Sequence, residues 1–375
     1  AFSLAAFLAV LFRESAYGQS SGTPSSAEAE PGIAAAPSER PQLAVQLGHS
    51  RNVAAVAYSP DGRTALTAGD DQTARLWDIV TAKEIRRFEG HSASVRSVAF
   101  SPDGRAVLTG GSDRAARLWN TATGAEIRRF EHSDSVTSVA FSPDGKQVLT
   151  ACHDGQARLW DSETGALLRN FEGHAASILA AAFSSDGRRI LSGSGDQTAR
   201  LWDAQSARLL LELEGHSEPI VSVAFSPDGK RLLTGCLDRT ARMWDAQTGA
   251  ELGRYPSPGR VLSAVFSPDG RRVITGNEGF PIALAGDQSD TVRVWDAQSG
   301  VPLRSLRPYG SSAVSIAVSP DGREVLVGAE GSSFSPDDCR AQVWDVDTGS
   351  RLRTLEGQGV VSVECVALSE DGRML

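Results

Sequence analysis

An all-β fold is predicted: seven repeats of four short antiparallel strands, with the start of an eighth, arranged around a ring. Two recurring markers and their spacing carry the prediction. All seven tryptophans fall in one frame, at Trp77, Trp119, Trp160, Trp202, Trp244, Trp295 and Trp344, with steps of 41 or 42 residues among the first five and of 51 and 49 thereafter. A turn sequence stands ahead of each: Ser-Pro-Asp-Gly at 59–62, 101–104, 142–145, 226–229, 267–270 and 319–322, and Ser-Ser-Asp-Gly at 184–187. An eighth copy, Ser369-Glu-Asp-Gly372, is followed by no tryptophan before Leu375. Self-similarity at a period of about 40 residues marks a repeated supersecondary unit.

The first residues have a different texture. Residues 2–12 are apolar apart from Ser3, a run too short for the roughly 20 residues of a membrane span. They fit the apolar core of a secretory signal whose basic start is missing, with Ala16-Tyr17-Gly18 supplying small residues for cleavage before Gln19. Arg13 and Glu14, between that core and the cleavage site, count against it. The rival reading is the tail of a longer transmembrane helix, and a third is a buried helix of another domain. Residues 1–18 are therefore expected as a truncated signal or membrane segment, and the protein as exported or membrane-anchored outside the cytoplasm, with a cytoplasmic location as the alternative. Residues 19–41 are rich in Ser, Ala, Pro and Glu and bury too little to offset the entropy of ordering, so a linker is expected there. The ring takes residues 42–375, with repeats near 49–90, 91–131, 132–173, 174–215, 216–256, 257–307 and 308–356 and a partial one at 357–375.

The second repeat shows how the strands are read. Val95–Phe100 is strand a, Arg105–Thr109 strand b, Ala115–Trp119 strand c and Ala125–Phe130 strand d. Between a and b, proline presets φ and glycine takes the positive-φ position of a hairpin. Asp113 opens a tight turn into c, and Thr121-Ala-Thr-Gly124 turns into d. Four strands in 42 residues leave no room for helices. One such sheet cannot cover both of its faces, but stacking in a ring covers them. Gln42–Leu47 reads as a further strand d and Val360 opens an eighth repeat, so the ring closes with seven or eight blades. Eight is the expectation, and the chain reads as a fragment.

Composition narrows function. A hydrophobic share of 41% permits a sizeable core. A net charge of −9 argues against a nucleic-acid surface, which needs clustered Lys and Arg. Lysine occurs only at Lys83, Lys146 and Lys230; the arginine excess and abundant alanine fit a GC-rich, bacterial genome. The four cysteines, Cys152, Cys236, Cys339 and Cys365, form no C-x-x-C pair, so no zinc or redox motif is present. Cys152 and Cys236 each lie eight residues before a tryptophan, where other repeats have Gly69, Gly111 or Ser194, and a small buried residue is expected there.

Gly-His, then Asp, then Trp-Asp at this spacing resembles the WD-repeat (WD40) β-propeller family, over roughly Gln42 to Leu375. The resemblance implies four-stranded blades. It also implies a polar chain of His, Ser or Thr, Asp and Trp linking the d–a loop, the b–c turn and strands b and c. Five repeats carry that set: His49, Thr67, Asp71, Trp77; His91, Thr109, Asp113, Trp119; His132, Thr150, Asp154, Trp160; His174, Ser192, Asp196, Trp202; and His216, Thr234, Asp238, Trp244. A hydrolytic Ser-His-Asp triad is needed once. Five copies with histidine 28 residues before tryptophan speak for architecture.

The later repeats break the pattern. Ser257-Pro-Gly259 and Pro308-Tyr-Gly310 replace Gly-His, Val327 replaces the strand-b hydroxyl, and Ser289 takes the aspartate position beside Asp287 and Asp290. From the turn sequence to tryptophan there are 18 residues in the first five repeats, 28 in the sixth and 25 in the seventh. The resemblance places both insertions side by side on the top face. They carry Phe280, Ile282 and Leu284 in one and Phe334 in the other, flanked by Glu278, Asp287, Glu330, Asp337 and Asp338. Apolar groups within a polar rim, on loops that depart from a rigid scaffold, point to a partner site. Phe280, Ile282, Leu284, Asp287, Phe334 and Asp337 are its candidate residues, against tolerated drift or a plugged channel mouth as the plain alternatives. His153, beside Cys152 and Asp154, is a further candidate for partner contact, since neighbours in a strand and turn point apart and make a poor metal set. The expected function is a non-enzymatic scaffold binding a protein or peptide, with no cofactor, no metal and no nucleic acid. The alternative is a sensory or targeting domain of a larger enzyme, such as a membrane-anchored bacterial kinase.

Overall fold

The computed structural model describes residues 53–61, 63–78, 83–279, 290–308, 312–319, 321–330 and 341–355. These residues form seven four-stranded sheets, each antiparallel with its strands in chain order. The blades span 53–89, 95–131, 136–171, 178–213, 220–256, 261–306 and 312–355. In blade 2 strand a is Val95–Phe100, b is Ala106–Gly111, c is Ala115–Asn120 and d is Glu126–Glu131. The expected four strands are all present, with b and d displaced by one or two residues. Residues 1–41, the strand expected at Gln42–Leu47, His49 and the partial repeat at 357–375 lie outside the described residues.

The a–b hairpin rests on its serine, aspartate and glycine. Gly104 takes φ 70°. The Ser101 hydroxyl donates to Asp103 Oδ1 at 2.6 Å and accepts the Ala106 amide at 2.9 Å, while Asp103 Oδ1 also accepts the Arg105 amide at 3.0 Å. Serine and aspartate thus satisfy the backbone donors that a tight turn leaves open.

Burial concentrates between blades. Each hydrophobic cluster joins residues of two successive blades, from blades 1 and 2 through blades 6 and 7. The strand-d aromatic of one blade meets the tryptophan of the next: Phe88 on Trp119 at 5.8 Å, Phe130 on Trp160 at 5.3 Å, Phe171 on Trp202 at 5.9 Å and Tyr255 on Trp295 at 5.7 Å between ring centroids. A sheet of one blade is too thin to hide a tryptophan, so the indole is covered only when the preceding blade is in place. Arginine ties strand d to the neighbouring c–d turn as well: Arg86 donates to Thr123 O at 2.9 Å, Arg304 to Asp347 O at 2.9 Å, and Arg128 and Arg169 to Glu163 O and Gln205 O. The inner strands pack in succession from blade 1 to blade 7. Among the described residues, no contact of that extent and no shared hydrophobic cluster joins blade 7 back to blade 1.

Candidate functional site

The face where the d–a loops and b–c turns emerge is built on the polar chains. In blade 2 the Trp119 indole donates to Thr109 Oγ1 at 2.9 Å. That leaves the hydroxyl proton for His91 Nε2 at 2.7 Å, and the opposite ring nitrogen, Nδ1–H, donates to Asp113 at 2.9 Å. Blade 4 repeats it with Trp202, Ser192, His174 and Asp196, and blade 5 with Trp244, Thr234, His216 and Asp238. Burial alone would push the Asp113 carboxyl up. The His91 hydrogen bond and charge, the Ser92 amide and Arg117 outweigh it and hold Asp113 at about 2. Asp196 and Asp238 are lowered against burial by their histidines and by Thr198 and Thr240. In blade 1 the Trp77 indole donates to Thr67 at 2.8 Å, and Asp71 receives Arg75 at 3.0 Å; His49 lies outside the described residues.

Blade 3 departs from the expected chain. Thr150 still joins His132 Nε2 at 2.8 Å and Trp160 at 2.9 Å, but His132 Nδ1 donates to Phe130 O at 3.0 Å and not to Asp154. Asp154 takes the Ser133 hydroxyl and Arg158, the latter at 2.7 Å. The cause is in the loop. Blades 2, 4 and 5 precede the histidine with Gly90, Gly173 or Gly215 at positive φ, whereas Glu131 directly precedes His132 and shortens the connection by one residue. Burial, with Arg158 adding to it, pushes His132 down to about 4 against the pull of Phe130 O and Asp154.

The sequence reading missed a second buried polar column. An arginine stands two residues before tryptophan in six blades: Arg75, Arg117, Arg158, Arg200, Arg242 and Arg293. Arg75 pairs with Asp71 and Glu84 at 3.0 and 2.9 Å, and Arg117 reaches Glu126 at 2.6 Å and Arg242 reaches Glu251 at 3.1 Å. The Arg117, Arg200 and Arg242 guanidiniums also lie against the loop glycines Gly90, Gly173 and Gly215, where a Cβ on Gly215 would come within 2.6 Å of Arg242. Recurrence at a fixed offset from tryptophan was the signal that could have found them.

Cys236, His216 and Asp238 place possible ligand atoms within 4.8 Å of one another. Burial pushes the Cys236 thiol up to about 12, so it is held as a thiol, and it donates to Glu218 O at 3.0 Å. Ser194 makes the same bond to Ala176 O at 3.2 Å in blade 4, and Cys152 to Asp134 O at 3.2 Å in blade 3. The slot is a turn fastener that either residue type fills. His153 is half-buried, lowered by burial with Asp134 and Arg96 close by, and its carbonyl accepts Ser177 Oγ at 3.0 Å from blade 4. Its described backbone hydrogen bonds lie within blade 3 and to blade 4.

Phe280, Ile282, Leu284, Asp287, Phe334 and Asp337 lie outside the described residues, but the neck of the blade 6 insertion is well defined. Asn277, fully buried, occupies the Cys236 slot; its amide accepts no such role and instead Nδ2 donates to Asp290 O at 3.0 Å across the base of the insertion. The Asn277 backbone amide meets Thr291 O at 2.8 Å. Glu278 bridges to Ser312 of blade 7, and its side chain lies 3.7 Å from Arg260. Asp290 pairs with Arg307 at 2.8 Å. In blade 6 the Trp295 indole still reaches Thr275 at 3.0 Å, but in blade 7, with Val327 in strand b, the buried Trp344 Nε1 has no hydrogen-bond partner among the described residues.

Two family models match the chain. A WD domain, G-beta repeat model covers residues 41–78 and 82–120, and an IFT122 first beta-propeller model covers residues 135–284. Seven successive four-stranded blades and these matches make the chain a member of the WD-repeat β-propeller family, whose propellers generally serve as protein-interaction scaffolds. A search of curated proteins finds no match.

Proposed function

We propose that this chain is a non-enzymatic scaffold that holds a protein or peptide on the face bearing the blade 6 and blade 7 insertions. The observation that carries the reading is the neck of the blade 6 insertion. Asn277 closes its base onto Asp290, and Glu278 joins it to blade 7, so residues 280–289 start and end on fixed points. A variable loop displayed from a rigid scaffold is where binding residues concentrate. Around the neck, Arg260, Glu278, Asp290 and Arg307 form a charged rim, and Phe280, Ile282, Leu284 and Phe334 are the apolar residues that the insertions supply. An apolar centre within such a rim is the composition of a transient protein interface. We place the protein outside the cytoplasm, exported or membrane-anchored, on the apolar run at residues 2–12.

The test is affinity capture with cross-linking mass spectrometry in lysate of the source organism, comparing wild type with Phe280→Asp/Phe334→Asp. One partner cross-linked near 277–290 and 330–338, and lost in the variant at unchanged melting temperature, is expected. Capture that ignores the two substitutions rejects the site.

A further inference from the structure

The outermost strand of each blade leaves one edge of its sheet unpaired, a template for another strand. Five blades place a basic residue at the middle of that edge, and a sixth carries one beside it. Facing the apolar strand-c residue just before tryptophan stand Arg86, Arg128, Arg169, Arg304 and Arg353 in blades 1, 2, 3, 6 and 7. Blade 5 has Gly253 there, beside Arg254 and with Pro256 ending the strand. Blade 4 has Leu211. Its outer strand, Leu209–Leu213, reads LLLEL, with no basic residue and no proline. Leu209 is 40% exposed, and Leu167 at the matching position of blade 3 is 51% exposed. Every outer strand carries a bulge beside the tryptophan, so the bulge does not set blade 4 apart.

We propose that the blade 4 edge is a self-association surface. Two copies of this chain pair antiparallel about Leu211 and join their blade 4 sheets into one continuous sheet. Charge complementarity selects a second copy as the occupant. Twofold pairing about Leu211 sets Leu211 against Leu211 and Leu209 against Leu213 of the second copy. It also brings Arg208 alongside Glu214 of the second copy, and Glu214 alongside its Arg208. Both residues are exposed, and no ion pair engages either among the described residues. Opposite charges across a strand pair stabilise it and like charges directly opposite destabilise it. The same operation on blades 1, 2, 3, 6 or 7 would set arginine against arginine. Blade 4 is thus the edge on which self-pairing meets no repulsion at its centre and attraction at both ends. About five residues of edge fall short of the roughly 1,200 Å² of a standard stable interface, so the dimer depends on concentration.

Sedimentation velocity of the full chain, over a micromolar to millimolar series, tests this. The wild type is expected to approach twice the monomer mass, and Leu211→Arg to remain monomeric. Arg208→Glu and Glu214→Arg alone should each raise the dimerisation midpoint by about tenfold or more, and the double variant Arg208→Glu/Glu214→Arg should return it towards wild type. The two charge variants sit on exposed positions and keep the test decisive if Leu211→Arg does not fold. A wild type that stays monomeric throughout, or a dimer indifferent to the charge reversals, overturns the proposal.

Discussion

His132 gives blade 3 an acid sensitivity. The perturbation is a change of pH from about 7 to about 4. Folded, His132 is held near 4 chiefly by burial; in the unfolded chain it titrates near its ordinary value of 6.5. Between those values the unfolded state binds the extra proton. The contribution to stability is therefore complete above about pH 6.5, falls as pH drops towards about 4, and is flat below. The gap corresponds to about 3 kcal/mol, or roughly three-hundredfold in the population of the open blade. The Asp113, Asp154, Asp196 and Asp238 carboxylates are lowered, so they do not titrate in this window. His153 is also lowered by burial and also lies in blade 3, so it needs its own control. Hydrogen exchange resolved by mass spectrometry, corrected for the intrinsic pH dependence of exchange, reads each blade separately. Protection of 136–171 should fall across the window. His132→Gln, which keeps a partner for Thr150 without a titrating ring, should remove most of the fall, and His153→Gln only a part. Undiminished pH dependence in His132→Gln would refute the reasoning.

Three further outcomes are expected. Val327→Thr supplies the hydroxyl that Trp344 Nε1 lacks and should stabilise the protein by about 1 kcal/mol in denaturant unfolding, so an unchanged or lower midpoint counts against the tetrad logic. Ala207 holds φ 57° in the c–d turn where other blades have Gly124, Gly165, Gly249, Gly300 and Gly349; Ala207→Gly should raise the melting temperature by relieving up to about 1 kcal/mol of strain, and a fall would show that the turn is unstrained. A Cβ on Gly259 would sit 1.9 Å from Glu278 O, so Gly259→Ala should part the neck of the blade 6 insertion. Faster exchange at 277–279 and 290–292, with blades 2 to 4 unaffected, is the expected signature; a neck that exchanges at the wild-type rate contradicts the contact.

Periodicity made the fold legible. A tryptophan every 41 or 42 residues and a Ser-Pro-Asp-Gly hairpin ahead of it define four strands by spacing alone, because each strand and turn has a fixed length cost. The polar chains of blades 2, 4 and 5 were readable for the same reason: their members recur at constant offsets. Tertiary structure decided what a one-residue change does to that pattern. His132 keeps its distance of 28 residues from Trp160, yet the missing loop glycine turns its Nδ1 to Phe130 O and releases Asp154 to Arg158. Only the packed blades reveal that strand-c arginines are buried against carboxylates and that the strand-d aromatic belongs to the next blade's tryptophan. Both contacts join residues whose closeness depends on sheet register and blade stacking, which no linear spacing encodes. The candidate partner residues of blades 6 and 7 rest on the sequence alone, as departures from the repeat. The structure contributes the neck that holds the first insertion, because Asn277 and Asp290 meet only when strands b and c of blade 6 are paired.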